Sequence, residues 1–119
     1  MKTRTERIED KLLALGIKPN LYGFRYSADA VEIWMERGGC IAIAKELYPE
    51  IAAKRSTTRT RVERAIRHAI ETAADCCSFE DMASILGTTT NMNKGKLTNG
   101  EFISTLALLV EREERMDRS

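Results

Sequence analysis

Three features of this chain predict an all-helical fold. Lys, Arg, Glu, Ala, Leu and Ile dominate a sequence with only two prolines, and these residues form helices or fill cores. Apolar residues recur at three- and four-residue spacings, and no stretch alternates apolar with polar as a strand would. Caps and glycine stops cut the chain at intervals that suit short helices. The expected architecture is a compact bundle of about six helices, one domain over 1–119, with no sheet, repeat or linker. At 43% hydrophobic residues the chain can bury a core without disulfides or metal.

Each element follows from local signals. Thr5 to Leu15 is a first helix with Ile8, Leu12 and Leu15 on one face. Gly16 stops it as a C′ residue, and Pro19 follows. Leu21 to Tyr26 is aromatic-rich and fits no clear period. Ser27 suits the N-cap of a helix to Arg37 that buries Ala30, Val31, Trp34 and Met35. Gly38-Gly39 breaks the chain, and Cys40 to Leu47 reads as a short buried helix. Pro49 suits the first turn of the next helix, which reaches Lys54.

Arg55-Ser56-Thr57 is a turn. Thr58 or Thr60 caps the helix after it, and Thr60-Arg61-Val62-Glu63 has the spacing of a capping box. That helix runs to about Asp75. Ser78 opens a shorter one through Leu86, closed by Gly87, and 88–97 is a polar loop. Thr98-Asn99-Gly100-Glu101 is a second capping box, opening a helix that buries Phe102, Ile103, Leu106, Leu109 and Val110. The charged tail, 111–119, is expected to fray, or as a terminal helix to pair with a second copy in a homodimer.

Several functions are excluded. No apolar run approaches the ~18 residues that cross a bilayer, and MKTRTERIEDK is no secretory signal. Cys40, Cys76 and Cys77 are odd in number with two adjacent, which suits buried reduced thiols in a cytoplasmic protein better than a disulfide framework or zinc. His68 is the only histidine, with no nucleophile at a defined spacing and no phosphate loop. No enzyme, metal or cofactor is expected.

Positive charge is concentrated in Tyr48 to Ala73, YPEIAAKRSTTRTRVERAIRHAIETA. Six of the 19 basic residues fall between Lys54 and Arg67, against the single acid Glu63, although the whole chain carries only +1. At about 100° per residue, Val62, Ala65, Ile66, Ala69, Ile70 and Ala73 share one arc and form the buried stripe. Thr60, Arg64, Arg67 and Glu71 lie along the opposite line. Arg61 and His68 flank it on one side and Glu63 on the other. Two helices joined by a polar turn, the second with a basic outer face, make a central helix-turn-helix over about 49–75, winged-helix-superfamily-like but without a sheet.

Arginine suits major-groove reading because its planar fork donates twice to guanine O6 and N7. Glu63 accepts from a cytosine amino group, orients a neighbouring arginine, or closes the cap at Thr60. Ser56, Thr57, Thr58 and the free amides of the helix start suit phosphate. Lys94 and Lys96, in the polar loop, suit an adjacent phosphate or the minor groove. Two blander readings compete: a solvated basic face, and an interaction module or anti-regulator whose basic helix docks on an acidic protein. Cations at a helix N-terminus oppose the macrodipole, so folding does not call for them there.

The stretch RVERAIRHAIE, Arg61 to Glu71, resembles nearly verbatim the recognition helix of the DNA-binding effector domain of sporulation stage-zero A response regulators, found in endospore-forming Firmicutes. KGKLTNGEFI, Lys94 to Ile103, is similar to that family's second signature, with Leu97 where proline is usual. Weaker likeness runs from about Glu9 to Tyr48, and Trp34-Met35 stands where smaller or aliphatic residues are usual. The resemblance implies six helices around a helix-turn-helix and binding to short TGTCGAA-like boxes in double-stranded DNA, often in tandem with domains touching head to tail. It implies that Arg61, Glu63 and Arg64 meet bases. Arg67, His68, Thr58 and Thr60 would hold the backbone or neighbouring base edges, and Lys96 would touch DNA from its loop. It implies a contact from 78–87 to the RNA polymerase sigma subunit. In the family a phosphoacceptor receiver domain precedes this one. No such α/β segment lies in these residues, and both a fragment and a stand-alone regulator fit.

Overall fold

Thr3 sets the first helix. Its hydroxyl accepts from the Glu6 amide at 3.1 Å, and the Glu6 carboxylate accepts from the Thr3 amide at 2.9 Å. This reciprocal cap starts α1 at Arg4–Ala14, one residue before the expected Thr5. At its end Gly16 takes a φ of 84°, its amide donates to Leu13 and the Ile17 amide donates to Leu12. That reversal needs a left-handed residue, and it turns Ile17 back into the core beside Ile8, Leu12 and Leu15. These elements come from a computed structural model that describes residues 2–76 and 97–118.

The second helix corrects the sequence reading. α2 spans Tyr22–Glu36, so it begins five residues before Ser27. Ser27 is no cap: it is fully buried inside the helix, and its hydroxyl has no hydrogen-bond partner among the described residues. Burial of Phe24 and Tyr26 on the core side outweighs the missing cap at Leu21. Val31 and Ala30 are fully buried as expected, whereas Trp34 and Met35 are only partly covered. Gly38 and Gly39, at φ of 60° and 78°, end the helix.

The expected buried helix over Cys40 to Leu47 is instead a single wide π-helical turn, Ile43–Leu47. Only Ile41 and Leu47 of this segment are buried; Cys40 is exposed and free, contrary to the expected buried thiol. Five residues are too few to bury a helical face, and Glu46 steadies the turn by accepting from the Ala42 amide at 3.0 Å. α3, Tyr48–Arg55, follows directly with Pro49 in its first turn.

α4 spans Arg59–Cys76, and α5 spans Asn99–Arg118. The box at Thr98 forms as expected, with reciprocal distances of 2.9 and 3.1 Å to Glu101. The tail does not fray. α5 continues to Arg118 because its last turns pair with α1: Arg4 to Glu114 at 2.8 Å, Arg7 to Asp117 and Lys11 to Glu113. Phe102, Ile103, Leu106 and Val110 are fully buried and Leu109 partly.

α1, α4 and α5 all pack on α2, which is the central element. The described residues thus hold five α-helices and no strand, an all-helical fold. The expected helix at 78–86 and most of the loop at 88–97 lie outside the described residues, though Leu97 at the loop's end is buried. No described helix is long and apolar enough to cross a membrane.

Candidate nucleic-acid interface

The back of α4 is dry. Val62, Ile66, Ala69, Ile70 and Ala73 are each 0% exposed, and Ala65 is half-buried at the seam. This is the expected stripe, and it fixes which residues face outward. Thr60, Arg61, Glu63, Arg64 and His68 are exposed, and Arg67 is half-buried. None of Arg59, Arg61, Arg64 and Arg67 has an ion pair among the described residues.

Thr58 caps the helix. Its hydroxyl oxygen accepts from the Arg61 amide at 3.2 Å, and its carbonyl accepts from Val62 at 3.0 Å. Thr60 is already helical, so the expected Thr60–Glu63 box does not form, and the Glu63 carboxylate stays free of the cap. Between α3 and α4 only Ser56, Thr57 and Thr58 intervene. Ser56 adopts a left-handed conformation, φ 55° and ψ 48°, and its chain reversal swings α4 away from α3.

Two basic residues of the cluster have another job. The Arg55 guanidinium grips the Asp29 carboxylate with both arms, at 2.7 and 2.8 Å, and Lys54 stands 3.4 Å from the same carboxylate. Asp29 is only 4% exposed. The pairing pushes the Arg55 guanidinium above its ordinary value, against the cost of burial. It ties the end of α3 to α2, and it leaves four arginines of the six cations without an acid among the described residues.

Two further residues set the pose of α4, and sequence reasoning passed over both. At Gly23 a Cβ would lie 2.4 Å from the Ala65 carbonyl oxygen and 2.8 Å from the Ala69 Cβ, so only glycine lets α2 lie this close on α4. Asn99, at the start of α5, donates to the Tyr48 hydroxyl at 3.0 Å and to the Glu63 carbonyl at 3.2 Å. It fastens α5 to both α3 and α4, and burial pushes the Tyr48 hydroxyl above its ordinary pKa. In the sequence Asn99 is only the interior of a capping box. Gly23 lay in the segment that fitted no period.

Of the sequence-predicted site residues, the structure brings Thr58, Thr60, Arg61, Glu63, Arg64, Arg67 and His68 onto one helix and its cap. Lys94 and Lys96 lie outside the described residues, as does 78–87. No group of His, Cys, Asp and Glu among the described residues could hold a metal ion.

An arginine-rich face on a helix seated this closely on α2 suits a polyanion with readable edges. Comparison with known families agrees. The family model described as sporulation initiation factor Spo0A C terminal matches residues 8–110, nearly the whole chain. The match runs from Ile8 within α1 through α2, α3, the turn before α4 and α4 to Val110 in α5. This chain therefore belongs to the Spo0A C-terminal family, the DNA-binding effector domain of a sporulation response regulator.

Proposed function

We propose that the protein is a sequence-specific transcription regulator in which α3, the turn 56–58 and α4 work as a helix-turn-helix. In this reading 1–119 is one domain, and 78–86 supplies its sixth helix. α4 enters the major groove of a TGTCGAA-like box. The observation that carries this is the set of guanidinium groups on α4 that find no acidic partner among the described residues. Leaving charge unpaired on a folded surface costs little, but placing four arginines in and near the first turns of a helix opposes its dipole. DNA is the partner that rewards them.

Arg61 and Arg64 meet base edges, where each bidentate pair discriminates by about 1–3 kcal/mol. Glu63 accepts from a cytosine amino group; its exposed carboxylate, unused in capping, supports this over the capping role. Thr58, Thr60, Arg67 and His68 hold the backbone or neighbouring base edges, and Lys94 and Lys96 add phosphate contacts. Copies of the domain bind in tandem on DNA, and 78–87 meets the polymerase sigma subunit. Titration of binding with salt tests the reading. Affinity should fall steeply with salt on every duplex while a TGTCGAA duplex keeps its advantage over a scrambled one. A basic helix meant for an acidic protein would show the salt dependence without the advantage.

A further inference from the structure

Beside the reading helix stands a residue that neither the charge pattern nor the family resemblance singled out. Tyr22 is 74% exposed, yet its ring is held, stacked on the buried Tyr26 with centroids 5.9 Å apart. Tyr22, Tyr26, Ser56, Thr57, Arg61 and Arg64 line one open cleft. The cleft joins the first turn of α2 to the turn and first turns of α4. Its only described charges are guanidinium groups, and Arg55 at its edge is already spent on Asp29.

The position of Tyr22 is fixed by its neighbour. Gly23 rests against the Ala65 carbonyl so closely that no side chain fits between. Tyr22 therefore cannot drift from Arg61 and Arg64, which lie within one turn of Ala65. A tyrosine with a supported apolar ring and a free polar tip is a rigid hydrogen-bond donor with little rotamer entropy to lose. When a helix lies in a major groove, the phosphates of the groove wall stand beside its first turns, and rigid donors there set its register.

We infer that the Tyr22 hydroxyl is a DNA-backbone ligand: it donates to a phosphodiester on the strand bordering the groove, in a cradle shared with Ser56 and Thr57 and with Arg61 and Arg64 behind it. This rests on α4 as the reading helix. It extends the contact surface onto α2, and it makes the Gly23–Ala65 contact a ruler that sets how deep α4 sits in the groove.

The test uses the whole chain, a TGTCGAA duplex and a scrambled duplex. Tyr22→Phe keeps the ring and removes the donor. It should weaken binding roughly tenfold, by the same factor on both duplexes, with an unchanged salt slope because a neutral donor releases no counterion. Tyr22→Glu places a carboxylate against phosphate and should weaken binding further, with a loss that shrinks as salt rises. In phosphate-ethylation interference, one backbone position that blocks the wild type should stop mattering for Tyr22→Phe. Equal affinity of wild type, Tyr22→Phe and Tyr22→Glu would overturn the inference and leave the role of α4 standing. A loss confined to the TGTCGAA duplex would overturn it too, since it would mark a base contact. A wild type with no preference between duplexes would remove the α4 reading, and this inference with it.

Discussion

The α1–α5 seam and the outer face of α4 are both crowded with cations, and folding treats them in opposite ways. On α1, Arg4, Arg7 and Lys11 each find a carboxylate from the last turns of α5. On α4, Arg61, Arg64 and Arg67 find none among the described residues, although acids make up 18 of the chain's residues. Cations are similarly dense in the two sequences, although α1 also carries Glu6, Glu9 and Asp10. The difference is whether a second helix delivers acids in register. A basic stretch becomes a functional candidate when the fold declines to neutralise it, and the pair Arg55–Asp29 shows the same division inside a single cluster.

Four substitutions would break or sharpen this contrast. The largest effect belongs to the back of α4, where Ile66→Ala should cost about 2–5 kcal/mol of stability through a cavity in a fully buried site. Urea unfolding measures it, and the DNA preference of the molecules that remain folded should not change. On the front, Arg64→Ala should leave stability within about 0.5 kcal/mol. It should cost about 1–3 kcal/mol of binding to a cognate duplex and relax preference at one base pair, read by competition among single-base variants. Equal weakening on every sequence would make Arg64 a phosphate contact.

The Asp29 pair offers a sharper separation. Asp29→Asn should lower stability by about 1 kcal/mol, since the Arg55 side chain it holds is itself partly open to solvent. The same change frees a cation beside the turn, so binding to any duplex should strengthen at low salt and the salt slope should steepen by up to about one unit. Stability and affinity then move in opposite directions, which a purely structural cluster would not produce.

The smallest effect belongs to the seam. Arg4→Ala should cost about 0–1 kcal/mol and leave DNA binding untouched. Its signature is in pH. The Arg4 guanidinium, by hydrogen bonding, holds the Glu114 carboxyl below the usual carboxylate range. A depressed carboxyl adds stability above its unfolded pKa, about 4.3, and that contribution is lost as pH falls through the lower folded value. Melting temperatures of wild type and Arg4→Ala should therefore differ at neutral pH and converge in acid.

Much of this was legible in the chain. The stripe from Val62 to Ala73, the stop at Gly16, the break at Gly38-Gly39 and the box at Thr98 are local rules, and each holds. The misses came where distant contacts outweigh local preference. α2 starts at Tyr22 without a capping side chain because Phe24 and Tyr26 are drawn into the core. The tail stays helical because α1 supplies cations that no inspection of 111–119 alone would reveal. The outward residues of α4 could be read from period alone, whereas Asp29, Gly23, Asn99 and Tyr22 matter only through partners far along the chain.

Selection of bound duplexes from a random oligonucleotide pool tests most directly whether the un-neutralised face of α4 reads sequence. A short TGTCGAA-like box, recurring in tandem, should be enriched, with one position released when the selection is repeated on Arg64→Ala. Recovery of duplexes without a shared box, bound as tightly as the starting pool, would contradict it.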